Sequence, residues 1–103
     1  MSNQQNIPEI INRIHATAAE QSPEAALQIA ENSLRNTAAQ LTPQEQALLF
    51  AEKGKMLWRL ERRGEAMSAY QEGARLDPEG PAAMLLEHSR SIMDFFNPDI
   101  FNP

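Results

Sequence analysis

The stretch KGKMLWRLERRGEAMSAYQEGARLDP, residues 53–78, decides the fold that the sequence predicts. It has the composition of two helices, yet Gly54 interrupts the first, and small residues such as Ala66 and Gly73 punctuate the second. A glycine inside a helix costs about 1 kcal/mol relative to alanine, so it is expected where a larger residue would collide with a neighbour. The spacing therefore predicts a hairpin whose helices cross closely at Gly54 and Ala66.

Helical periodicity continues on both sides of this stretch. Five segments have it and are predicted as helices: residues 7–20, 23–38, 43–61, 65–76 and 81–96. Ser22-Pro23 is typical of a helix start, and Thr42-Pro43-Gln44-Glu45 is typical of a capping box. The sequence shows no sustained alternation of apolar and polar residues, which is the mark of a strand. It therefore predicts an all-α fold with about five helices.

Short loops between these helices predict antiparallel neighbours that stack as helix-turn-helix hairpins. A chain of 103 residues is expected to form one domain. Its predicted parts follow the chain: a disordered N-terminus (1–6), a first hairpin (7–38), a second hairpin (43–78), a capping helix (81–96) and a tail (97–103).

Composition limits the classes of function. The net charge is −5, which disfavours non-specific attraction to nucleic acid or to an anionic membrane. Cysteine is absent, and the polar first residues are not followed by an apolar run of signal-peptide length. No segment is long and apolar enough to span a bilayer. A cytoplasmic location is therefore expected.

Positive charge is concentrated near the centre of the chain. Five basic residues lie close together with Glu61 as the single acid among them: Lys53, Lys55, Arg59, Arg62 and Arg63. Such a patch on an acidic protein suits an acidic peptide or a carboxylate better than a nucleic-acid duplex. Arg62 and Arg63 fall at a predicted turn, where complementing the C-terminal end of the third helix is the simpler interpretation.

Gly54, Ala66, Tyr70 and Leu76-Asp77-Pro78, at these spacings, resemble the tetratricopeptide repeat, a helix-turn-helix unit of about 34 residues. The resemblance covers roughly residues 47–80, and the first hairpin shows it only loosely. It implies hairpins stacked as a short right-handed superhelix. It also implies a protein-binding scaffold that holds its ligand in a concave face lined by the first helix of each hairpin.

This chain departs from the repeat pattern at two positions that matter for packing. Leu57 stands where a tyrosine is common, and Gly73 stands where an alanine is typical. Phe50 supplies the aromatic residue that is usual early in the first helix.

On a helical wheel, one arc of the third helix should line the concave face. Its members are the predicted partner-binding residues: Leu48, Ala51, Glu52, Lys55, Trp58 and Arg59. Lys55 and Arg59 lie one turn apart and can hold a carboxylate between them, with Trp58 offering apolar contact. The leading hypothesis is binding of a peptide or protein segment that is acidic or carboxylate-bearing. The alternative is that Lys55 and Arg59 form an ordinary solvated face and that Trp58 is core.

The C-terminal tail carries apolar residues that are costly to expose, among them Phe96, Ile100 and Phe101. One interpretation is that the tail folds back over an open helix face. The other is that it contacts another protein or a second copy of the chain. The second gives an alternative function, a homo-oligomeric assembly protein that completes its helical stack through the last helix and the tail.

The sequence offers no constellation for catalysis. His15 and His88 lie on different predicted helices, each without a second ligand at metal-binding spacing on its own helix. The sequence contains no phosphate-binding glycine loop, nucleophile elbow or calcium loop. We expect no enzyme activity, no cofactor and no metal site.

Overall fold

The structure is a computed structural model that describes residues 6–37 and 40–96. It contains five helices: α1 (Ile7–Glu20), α2 (Pro23–Thr37), α3 (Pro43–Arg59), α4 (Arg63–Leu76) and α5 (Pro81–Phe96). The described residues include no β-strand, so the all-α prediction with about five helices is confirmed. The helix ends differ from the predicted ends by at most two residues. Among the described residues, no helix combines the length and apolar character that crossing a membrane requires.

Two predicted segments fall wholly or partly outside the described residues. The tail over 97–103 lies entirely outside them. Of the N-terminal residues predicted to be disordered, Asn6 is described and caps α1, because its side-chain oxygen accepts a hydrogen bond from the backbone N–H of Glu9 at 3.2 Å. This cap gives Asn6 a partner at the start of α1.

The side-chain caps set where the next helices begin. Ser22 Oγ accepts from the backbone N–H of Ala25 at 3.0 Å at the start of α2. At α3, Thr42 Oγ1 accepts from the N–H of Glu45 at 3.1 Å, and Glu45 Oε1 accepts from the N–H of Thr42 at 2.9 Å. The predicted capping box is confirmed, and it satisfies two backbone donors that a helix start otherwise leaves unpaired.

Helix α3 is the central element of the fold. Each helix packs on the next one along the chain, and α3 also contacts α1 and α5. Its buried residues point in several directions, as expected for a helix with neighbours on most sides: Ala47, Leu49, Ala51, Glu52, Gly54, Met56 and Leu57. The loops joining the helices are short, which makes consecutive helices antiparallel neighbours.

The turn between α3 and α4 is a tight helix ending that brings the two helices directly together. The N–H of Arg62 donates to the carbonyl oxygen of Leu57 at 2.9 Å, and the N–H of Glu61 donates to that of Trp58 at 3.0 Å. This pair of bonds is the Schellman pattern, which requires a left-handed residue at the turn. Glu61 takes that conformation with a φ of 62°.

Gly54 allows the close contact between α3 and α4, and the neighbour it admits is the ring of Tyr70. A methyl group added to Gly54 would lie 2.5 Å from Cδ1 and 2.9 Å from Cζ of Tyr70, well inside contact distance. Ala66, one turn before Tyr70, is fully buried. At the crossing predicted between Gly54 and Ala66, the atoms nearest to Gly54 belong to Tyr70, because this larger side chain fills the space that the glycine leaves.

Gly73 makes a second close approach where three helices meet. An added methyl group would collide with Cβ of Ala82 on α5 and lie 3.2 Å from the carbonyl oxygen of Ala47 on α3. An alanine, typical of the repeat pattern at this position, does not fit here. The glycine thus holds α4 close to both α3 and α5, which positions α5 beside α3.

Replacing Gly54 with alanine should destabilise the protein. The collision with Tyr70 is expected to cost about 1–3 kcal/mol, while better helix propensity returns about 1 kcal/mol. We therefore expect Gly54→Ala to lower the free energy of unfolding by about 1 kcal/mol, measured by urea unfolding followed by far-UV circular dichroism.

Gly64→Ala is the matched control for this substitution. A methyl group on Gly64 would meet no atom within 4 Å, so only the change in backbone entropy acts. We expect Gly64→Ala to stabilise the protein by about 0.4–1 kcal/mol. Equal effects of the two substitutions would contradict the packing of Tyr70 on Gly54.

Candidate functional site

The structure separates the six residues predicted to bind a partner into buried and accessible ones. Ala51 and Glu52 are buried, with 2% and 6% of their surface exposed. Leu48, Lys55 and Trp58 are partly exposed, and Arg59 is exposed. Ala51 and Glu52 therefore offer little surface to a partner, and three of the four accessible residues, Lys55, Trp58 and Arg59, lie toward the C-terminal end of α3.

Three of these residues line one groove, which we call the α3–α5 groove. Its lining residues come from three helices: Lys55, Trp58 and Arg59 from α3, Tyr70 from α4, and Leu85, His88, Ser89 and Ile92 from α5. Its volume is about 270 Å³. Pockets for small-molecule ligands are usually roughly 300–1,000 Å³, so this groove suits one or two side chains of a peptide rather than a whole cofactor.

The chemistry of the α3–α5 groove is apolar surface flanked by cationic and polar groups. Trp58, Leu85 and Ile92 supply the apolar surface. Arg59 and His88 are exposed at the groove and have no hydrogen-bonding or ionic partner among the described residues. An arginine with all its donors available is well suited to a carboxylate, which it can bind through two parallel hydrogen bonds.

Tyr70 connects the groove to the hairpin beneath it. Its ring packs on Gly54, only 3% of its surface is exposed, and it also lines the groove. Burial of the hydroxyl group, with a smaller contribution from the negative charge of Glu52, raises the pKa of Tyr70 to about 12. The hydroxyl group is protonated at neutral pH and can act as a hydrogen-bond donor.

Lys55 is less available than the sequence analysis expected, because it is bonded to Glu52. The Lys55 Nζ lies 3.0 Å from Glu52 Oε2, and the other carboxylate oxygen lies 2.8 Å from His15 Nε2 on α1. A buried carboxylate is costly to desolvate unless it is paired, and these two partners satisfy it. Glu52 thus joins α1 to α3 and has a structural role in this cluster.

Most of the basic patch predicted from the sequence is engaged within the protein. Lys53 lies 3.7 Å from Glu31, and Arg62 donates to both carboxylate oxygens of Glu65. The Arg63 guanidinium stacks over the Trp58 ring, 5.1 Å from its centroid. With Lys55 paired as well, Arg59 is the member of the patch left without a partner among residues 6–37 and 40–96.

Each of the two arginines at the turn between α3 and α4 has a defined contact within the protein. Arg62 forms its bidentate pair with Glu65 in the first turn of α4. Arg63 begins α4 and covers one face of Trp58. Trp58 itself is partly exposed, and it packs against the hydrophobic core.

Two other hollows lie near Phe50 and are less suitable for an anionic ligand. One has a volume of about 330 Å³ and is lined by Glu31, Leu34, Arg35, Phe50 and Lys53. The other, of about 240 Å³, adds the carboxylates Glu65 and Glu72. In both hollows Lys53 is paired with Glu31, and in the first one Arg35 donates to Asn32. The α3–α5 groove differs because Arg59 has no partner among the described residues.

The sequence analysis missed the contribution of α5 and the role of His15. Leu85, His88, Ser89 and Ile92 complete the groove, whereas the sequence predicted α5 as a cap or as a surface for assembly. Their spacing of three and four residues was a signal that they share one face of a helix. His15 was examined for ligands on its own helix, whereas its partner Glu52 lies 37 positions away.

The remaining site predictions are not addressed by the described residues. Ile100 and Phe101 lie outside them, as does the side chain of Phe96. Within residues 6–37 and 40–96, no three side chains of the metal-binding types form a group that could hold a metal ion.

The chain matches no known protein family, no curated protein and no solved structure. The tetratricopeptide resemblance therefore rests on the residues quoted above.

The alkaline titration of Tyr70 tests its position. Tyr70 is the single tyrosine of the chain, so phenolate absorbance reports it alone. We expect the titration midpoint to lie near pH 12 in the folded protein and at about pH 10 in urea. Because the folded-state pKa is the higher one, the stabilisation from Tyr70 is complete below pH 10 or so and is lost as the pH rises toward 12.

Tyr70→Phe provides the control for this titration, since it keeps the ring and removes the ionising group. It should reduce the loss of stability in that alkaline range. A folded-state midpoint equal to the midpoint in urea would contradict burial of the hydroxyl group.

Proposed function

We propose that this protein is a binding module that holds a carboxylate-bearing peptide segment in the α3–α5 groove. The observation that carries the proposal is the position of Arg59, an exposed guanidinium without a partner among the described residues, beside the apolar side chains of Trp58 and Ile92. A ligand that places an apolar side chain between these residues and a carboxylate on Arg59 matches both parts of the groove.

The tetratricopeptide resemblance is a second argument for this proposal. In that repeat the ligand lies along the first helix of each hairpin, and the groove lies between α3 and α5, the helices in those positions. The residues of α5 that face the groove repeat those of α3 after 34 positions: Ser89 follows Lys55, and Ile92 follows Trp58. Membership of that repeat class is part of the proposal.

The proposal assigns binding rather than catalysis to the groove. Arg59, Tyr70 and Ser89 offer hydrogen-bond donors, and Leu85 with Ile92 offers apolar surface, which together are the parts of a recognition site. The cytoplasmic location expected from the sequence stays a prediction.

The direct test compares peptide binding by the protein and by Arg59→Glu. The probe is an array of octapeptides that pair one aromatic or aliphatic residue with one Asp or Glu, each matched to a peptide with Asn or Gln instead. We expect the protein to prefer the acidic members. Hydrogen bonds to a charged group contribute about 1.5–3 kcal/mol, so Arg59→Glu should weaken binding at least about tenfold.

Arg35→Glu is the control variant, because it makes the same charge change on α2, away from the groove. It should bind the acidic peptides as the unchanged protein does, and circular dichroism should show that both variants keep their helix content. Equal binding by Arg59→Glu and the unchanged protein, or no preference for acidic over amide peptides, would remove the groove as the binding site.

A second candidate function is assembly with another copy of the chain through α5. Met84 and Phe95 on this helix are 70% and 78% exposed, and with His88 and Ser91 between them they form one stripe. Met84, His88 and Ser91 follow Phe50, Gly54 and Leu57 by 34 positions, and α4 packs against Gly54 in the preceding hairpin. In an antiparallel pair of α5 helices, Met84 of each copy would cover Phe95 of the other.

Light scattering over a range of concentrations distinguishes this candidate. Assembly predicts a dimer mass that falls to the monomer mass in the variant Met84→Lys with Phe95→Lys. A monomer at every concentration rejects it.

A further inference from the structure

We infer that the α3–α5 groove is the docking site for a segment of this same chain, Asp99-Ile100-Phe101, which follows α5. The inference rests on the proposed function, because it names one ligand for the groove already described. It makes the groove an internally occupied site that an outside peptide has to compete for.

The chemistry of the segment matches that of the groove. The residues after Phe96 are Asn-Pro-Asp-Ile-Phe-Asn-Pro, in which one carboxylate is followed directly by two large apolar side chains. The groove presents the complementary groups: Arg59 and His88, which have no partner among the described residues, lie beside the apolar surface of Trp58, Leu85 and Ile92. Asp99 is the single charged side chain of this segment, so its pairing with Arg59 would leave no charge uncompensated.

The segment is long enough to reach the groove. Ile92, which lines the groove, lies four residues before Phe96, and His88 lies eight residues before it. At about 1.5 Å per helical residue, His88 is about 12 Å from Phe96 along the axis of α5. An extended chain advances about 3.3–3.6 Å per residue, so Ile100 and Phe101 can lie about 13–18 Å from Phe96.

The sequence also favours a change of direction at the required place. Pro98 disfavours the helical conformation at Asn97, and α5 ends at Phe96, directly before it. A segment attached this close to its site has an effective concentration in the millimolar range. A weak contact is therefore sufficient for docking within one chain.

The single tryptophan makes this docking measurable in the full-length protein. Trp58 is the chain's one tryptophan and lines the groove, so quenching of its fluorescence by acrylamide, a neutral probe, reports how covered the groove is. The test variant carries Asp99→Asn, Ile100→Ser and Phe101→Ser in the full chain. We expect its quenching constant to be at least twofold higher than that of the unchanged protein.

Restoration by an added peptide then identifies the ligand. Acetylated NPDIFNP should return the quenching of the triple variant to that of the unchanged protein, and the same peptide with Asn in place of Asp should not. The variant Asn102→Ala, which changes the tail but keeps the three residues, should behave as the unchanged protein does. In an otherwise unchanged chain, Arg59→Glu should expose Trp58 as the triple variant does.

Equal quenching in the unchanged protein and the triple variant, with no effect of the peptide, overturns the inference. A difference that grows with protein concentration and accompanies a dimer mass places the segment in a second copy, which also overturns docking within one chain. If the triple variant, in which the segment no longer covers the groove, binds acidic peptides of the array but not NPDIFNP, the proposed function stands and this inference fails. If the triple variant binds neither, both fail.

Discussion

The contact on which the structure depends is the ring of Tyr70 packed on the backbone of Gly54. It allows α3 and α4 to approach more closely than two helices with ordinary side chains can. The same ring lines the α3–α5 groove, so the hairpin contact and one surface of the candidate site are formed by one side chain. Gly73 allows a similar close contact between α4 and Ala82, and this contact places α5 where it completes the groove.

A second constraint is the buried carboxylate of Glu52, which has to be paired with neighbouring donor groups. It binds His15 of α1 and Lys55 of its own helix, so a cation that the sequence analysis assigned to a ligand serves the interior instead. Lys53 and Arg62 form ion pairs, and Arg63 stacks on Trp58. The positive charge available to a ligand is therefore much more local than the composition indicates, and it is centred on Arg59.

Local features of the fold could be predicted because their causes lie within a few residues of each other. The capping box at Thr42 and the helix starts at Pro43 and Pro81 are examples. Contacts between distant residues could not be predicted in the same way. A helical wheel places Glu52 and Lys55 on one arc of α3, but it does not reveal that Glu52 pairs with His15 of α1. Likewise, the residues of α5 line the groove because α5 packs closely on α4 at Gly73, and this is a contact between different helices.

Nuclear magnetic resonance of Gly54 tests the central contact most directly. A ring packed on the backbone shifts the α protons of Gly54 strongly by its ring current and gives nuclear Overhauser effects between these protons and the ring protons of Tyr70. The account predicts both signals in the folded protein, and it predicts that the shift disappears in Tyr70→Leu. Gly54 α protons at ordinary positions, without effects to Tyr70, would contradict both the hairpin contact and the groove built on it.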